Sequence, residues 1–89
     1  MRLASIKEKQ EDLFDVVVSS KIGRYADFKN LPYREAKPAL TELVGQYQSD
    51  IFPEDPLASM EWKNNGNAAV IELYNGDKIF FYLMRANRQ

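Results

Sequence analysis

The sequence contains no cysteine and no histidine. Without cysteine there can be no disulfide framework, no thiolate zinc site and no thiol nucleophile. Small secreted domains often depend on disulfides, so this absence points toward a reducing, cytoplasmic compartment. Without histidine the chain lacks the usual general base near neutral pH and the commonest metal ligand. Glycine and proline are scarce, at four residues each. No Gly-rich phosphate loop or nucleotide fingerprint can be assembled from Gly23, Gly45, Gly66 and Gly76. A long hydrophobic run is missing too. Charges interrupt the N-terminal stretch Met1–Val17, so it does not read as a signal peptide. Nothing approaches the roughly 18 to 20 apolar residues of a membrane span.

What is present suffices for a small folded domain. Of 89 residues, 45% are hydrophobic, including Trp62, five tyrosines and five phenylalanines. Aromatic side chains of this number bury large areas, and a disordered chain would lack them. One domain is expected over residues 1–89: a helical part at 1–49, a linker at 50–58 and a β-meander at 59–85.

In the helical part, Ser5 and Glu8 fit a capping box, and Ile6, Leu13, Phe14 and Val17 share a helical face. The pattern predicts a first helix at about 5–20, against the β-branched run Val16-Val17-Val18. A short second helix is expected at 24–31, closed by Leu31-Pro32. The next helix, at about 35–49, has the clearest period: Ala36, Leu40, Leu43, Val44, Tyr47 and Ile51. Pro38 belongs in its first turn.

In the meander, Asn65-Gly66 and Asn75-Gly76 are type I′ hairpin signals. They predict strands at 59–64, 67–74 and 77–85. Two-residue loops would pair Trp62 with Ala69, Met60 with Ile71, Ile71 with Phe80 and Ala69 with Tyr82. The core face is then Met60, Trp62, Ala69, Ile71, Leu73, Phe80, Tyr82 and Met84. The fold class expected is α+β, with two to three N-terminal helices packed on a C-terminal three-stranded antiparallel meander.

That register leaves Val70, Tyr74, Ile79, Phe81 and Leu83 on the opposite face. In a three-stranded meander the last strand is an edge, and an apolar edge is normally covered or used. The functional expectation is therefore a non-enzymatic protein-binding module that engages another protein, or itself as a homodimer, through this C-terminal edge strand. Tyr74, Ile79, Phe81 and Leu83 would be apolar anchors, with Glu72 and Arg85 as polar rim. No cofactor, metal or small-molecule substrate is expected. Small size, the missing His and Cys and the lack of an active-site pattern resemble small phage- or mobile-element proteins. Such a resemblance implies an inhibitor or regulator of a larger host protein, for example in nucleic-acid processing or defence.

The alternative is DNA binding. Net charge is −1, yet residues 21–37 hold Lys21, Arg24, Lys29, Arg34 and Lys37 against only Asp27 and Glu35. A helix, a turn at Leu31-Pro32, a second helix and a hairpin give a winged-helix-like order. Arg24, Lys29, Arg34 and Lys37 would then face phosphate. Against this, Pro38 interrupts the reading helix and the hairpin tip Asn75-Gly76-Asp77 is not basic.

Overall fold

The computed structural model describes residues 12–86. Strand β1 (Leu13–Ser20) turns into β2 (Gly23–Pro32), which leads directly into helix α1 (Tyr33–Glu54). Strands β3 (Ser59–Lys63), β4 (Ala68–Glu72) and β5 (Lys78–Arg85) follow. All five strands join one antiparallel sheet in the order β2-β1-β5-β4-β3.

This corrects the expected fold class. Among the described residues there is one α-helix, and the sheet has five strands where a three-stranded meander carrying two to three helices was expected. The structure is dominated by the sheet. Residues 13–20 alternate as strand: Phe14, Val16 and Val18 point one way and Val17 the other. The β-branched triplet, stiff at χ1 and suited to a pleated surface, prevails over the helical spacing of Leu13, Phe14 and Val17. The earlier part of the expected first helix, with Ser5 and Glu8, lies outside the described residues. Residues 24–31 are strand as well. Gly23, at φ 139°, starts that strand.

Leu31-Pro32 opens a helix, where it was expected to close one. Pro32 is the N-cap of α1, with extended φ/ψ of −64° and 156°. Glu35 in the first turn complements the positive end of the helix dipole. The helix is longer than the 35–49 expected and runs through residues 50–54 of the anticipated linker. Pro38 lies in its second turn and Pro53 in its last, each removing one helical hydrogen bond.

The α1 stripe Ala36, Leu40, Leu43 and Val44 is buried against Val16, Val18, Ala69, Ile71 and Phe81. Tyr47 and Ile51 extend the same stripe and are partly buried. Full burial of a side chain such as Leu40 or Phe81 contributes roughly 1.5–3 kcal/mol. Two polar ties fix the helix ends. The Tyr33 hydroxyl donates to Asn67 Oδ1 at 2.7 Å. Asp55, at the C-cap, accepts from the backbone N–H of Leu57 at 3.2 Å and of Tyr74 at 3.0 Å.

Candidate protein-binding face

The position of β5 decides where a partner could sit. It is the central strand, paired with β1 on one side and β4 on the other. The expectation of an apolar C-terminal edge strand is therefore overturned. The N-terminal hairpin fills the place where the edge would have been.

The two hairpins of the expected meander have different outcomes. Between β3 and β4, Asn65 and Gly66 both have positive φ, and Asn67 N–H donates to Asn64 O at 3.0 Å. Trp62 pairs with Ala69 and Met60 with Ile71, the expected partners. Between β4 and β5 the loop has one residue more. Gly76 N–H donates to Leu73 O at 2.9 Å, and Leu73 N–H to Asp77 O at 2.8 Å. Of Asn75 and Gly76 only Gly76 has positive φ, which is the three-residue loop with a left-handed glycine. Ile71 consequently pairs with Ile79 and Ala69 with Phe81, one step away from the expected register. Such a step turns every β5 side chain over.

The consequences for the expected anchors are direct. Phe81 is 0% exposed and lies in the core under α1, while Ile79 and Leu83 pack against that core. Phe81 therefore offers no free surface, and Ile79 and Leu83 are only partly exposed, on the helix side of the sheet. Tyr74 remains 73% exposed at the β4–β5 turn. Glu72 is exposed on the face away from the helix, and Arg85 is exposed and ion-paired with Asp12 at 3.2 Å.

The basic residues of the DNA-binding alternative are also dispersed. Arg24, opposite Ser19, and Lys29 are on β2; Arg34 and Lys37 are on α1. The Lys37 side chain lies beside Gly66. The helix-turn-helix order behind that alternative does not exist, because its first helix is strand β2.

The flipped register places another set of residues on the helix-free face: Phe80, Tyr82 and Met84 of β5, with Val70 and Ala68 of β4 and Val17 of β1. Phe80 is 45% and Met84 39% exposed. Val17 is buried on this side, between Ala26 and Tyr82 and outside the helix-side cluster. No described element lies over the strip. Around it, Arg24, Lys63 and Lys78 balance Asp15, Glu61 and Glu72 in charge. The signal for this surface was present in the sequence, since residues 79–84 are apolar at every position. Only the loop length assigned the wrong half to the interior.

Elsewhere the chemistry is sparse. Glu42, Gly45, Gln46, Ser49 and Asp50 line an open depression on the outer side of α1. Among the described residues, no group of three acidic side chains is placed to share a metal ion. Also among them, no helix is long and apolar enough to cross a membrane. The hydroxyls of Tyr25 and Tyr47 share a hydrogen bond, and Tyr47 stacks edge-on against Phe81 with centroids 5.0 Å apart. Burial, then the Tyr25 hydrogen bond, push the Tyr47 pKa up to about 12. On the surface, Lys21 holds Asp77 below the ordinary carboxylate value through a 2.9 Å contact.

Comparison with known proteins adds no relative: no family model, no curated protein and no solved structure matches the chain.

Proposed function

We propose that the chain is a non-enzymatic protein-binding module whose docking surface is the helix-free face of the sheet. The supporting observation is Phe80 and Met84 standing half-exposed in the middle of a five-stranded sheet, where a second layer is the usual companion. The charges around the strip balance, so affinity comes from burying apolar area and neither a strongly basic nor a strongly acidic ligand is favoured. The occupant that fits is the apolar stripe of an amphipathic helix on another protein.

The test uses a photo-reactive amino acid at position 80, and a second at Gln46 on the outer side of α1, in the cells that encode the protein. Position 80 should capture one partner that position 46 does not. The purified partner should then bind the Met84→Asp protein at least about tenfold more weakly than the unaltered chain, as truncated interface anchors do. Equal capture at both positions, or unchanged affinity in both Phe80→Asp and Met84→Asp, would remove this reading.

A further inference from the structure

The two edges of the sheet are unlike. Strand β2 is interrupted twice, by register shifts on either side of Val16. Asn30 there takes a left-handed φ of 58°, its N–H donating to Asp15 Oδ1 at 2.9 Å, and Pro32 ends the strand. Bulges and proline are the usual means of blunting an edge against further pairing. Strand β3 has neither, and its guards are its short length and the charges of Glu61 and Lys63. Its five residues pair with β4 in unbroken register, and among the described residues nothing pairs with its outer side. The helix packs mainly over β1, β2, β5 and β4. Trp62, on the helix side of β3, is consequently 39% exposed, and Glu61 and Lys63 are exposed on the opposite face.

We propose that β3 is a self-pairing edge: a second copy of the chain adds its own β3 antiparallel, about a two-fold axis through Trp62. Symmetry restricts the choices. An axis that relates two antiparallel edge strands stands perpendicular to the sheet, so paired residues must lie on the same face. Residues must therefore pair about Met60, Glu61 or Trp62, and not between residues. Centring on Glu61 sets two glutamates against each other, which is unfavourable for directly opposed like charges. Centring on Met60 sets Glu61 opposite Ser59 and brings no opposite charges together.

Centring on Trp62 sets Glu61 opposite Lys63 of the second copy, and Lys63 opposite the second copy's Glu61. Two opposite-charge pairs form on one face while the two indoles meet on the other. Within one chain Lys63 Nζ already lies 3.6 Å from Glu61 Oε1, so both charges are held at this edge in a position to exchange partners. The indoles would occupy the space beyond the rim of each α1 helix. The product is a ten-stranded sheet with both helices on one side. This edge adjoins the Phe80–Met84 strip, whose rim includes Glu61 and Lys63, but the dimer buries neither Phe80 nor Met84, so Met84→Asp tells the two surfaces apart.

Mass in solution over a concentration series, by sedimentation equilibrium, is the first measurement. The unaltered chain should approach twice its 10.3 kDa mass as concentration rises. Lys63→Glu alone and Glu61→Lys alone should each weaken the dimer by at least about tenfold, because like charges then oppose one another on both sides of the axis. Mixing those two variants should restore it, since each Glu then meets a Lys across the interface. Separately, Trp62→Cys in this cysteine-free chain should oxidise to a covalent dimer, while Met60→Cys should not. Four results would each overturn the proposal: a monomer at every concentration; a dimer insensitive to Lys63→Glu; no recovery on mixing; or equal cross-linking at positions 60 and 62. A dimer lost with Met84→Asp and kept with Lys63→Glu would also overturn it, in favour of the helix-free face.

Discussion

The two faces of β5 have nearly the same composition and opposite circumstances. Ile79, Phe81 and Leu83 face α1, and Phe81 is fully enclosed. Phe80, Tyr82 and Met84 face away, and two of the three are substantially exposed. Hydrophobicity alone therefore does not say which residues are inside. The side that receives the helix does, and a single loop residue determines that side. The largest effect that would sharpen this contrast is Phe81→Ala. It removes the ring that touches Tyr47 and faces Ala69, and it leaves a cavity in a close-packed layer. We expect a loss of about 3–5 kcal/mol in chemical denaturation. A loss below about 1 kcal/mol would mean that Phe81 is not in the core.

The contrast also explains what could be read in the sequence. The three C-terminal strands, the period of α1 and the β3–β4 pairing were legible because each depends on local signals. Leu40, Leu43 and Val44 repeat at helical spacing, and Asn65-Gly66 takes the positive φ that its composition suggests. What could not be read depends on distant partners. Leu13 to Val18 satisfies both a helical and a strand period, and pairing with β2 and β5 on either side favours the strand that the β-branched triplet suits. The β4–β5 turn was misread for a subtler reason. Asn75-Gly76 supports either a two-residue or a three-residue loop, and the Asp55 contact to Tyr74 N–H anchors the residue that makes the difference. The candidate site inherited that error. Ile79, Phe81 and Leu83 were read as an outward face of β5, and the observed register turns them toward α1, while Glu72 and Tyr74 belong to β4 and the turn after it.

A smaller effect probes the helix side through Tyr25 and Tyr47. Tyr25→Phe removes one hydroxyl from the shared hydrogen bond and leaves the Tyr47 ring on Phe81. The expected cost is about 1 kcal/mol. The pair also gives this face a pH dependence. The folded-state pKa of Tyr47 is raised to about 12, above its ordinary value of 10.0. Its protonated form is thus favoured by folding. The associated stability is complete below pH 10 and is lost as pH rises through about 12. In Tyr25→Phe the hydrogen bond and the neighbouring phenolate charge are both gone, so the alkaline decline should be shallower. Parallel declines in the two proteins would show that Tyr25 has no part in holding the Tyr47 proton.

The smallest expected effect lies on the opposite face and is the most discriminating. Phe80 is opposite Val70 on one neighbour and Ser19 on the other, and nearly half of its surface already meets water. Truncation to alanine removes a large ring yet creates no enclosed cavity, so the cavity penalty that dominates Phe81→Ala is absent. We expect a change within about 1 kcal/mol, partly a loss of strand propensity and cross-strand contact. The result is informative in both directions. A small change leaves the ring free for another molecule, as the proposed docking surface requires. A loss approaching that of Phe81→Ala would mean that the chain itself closes over this face, leaving the amphipathic helix of a partner no place to bind.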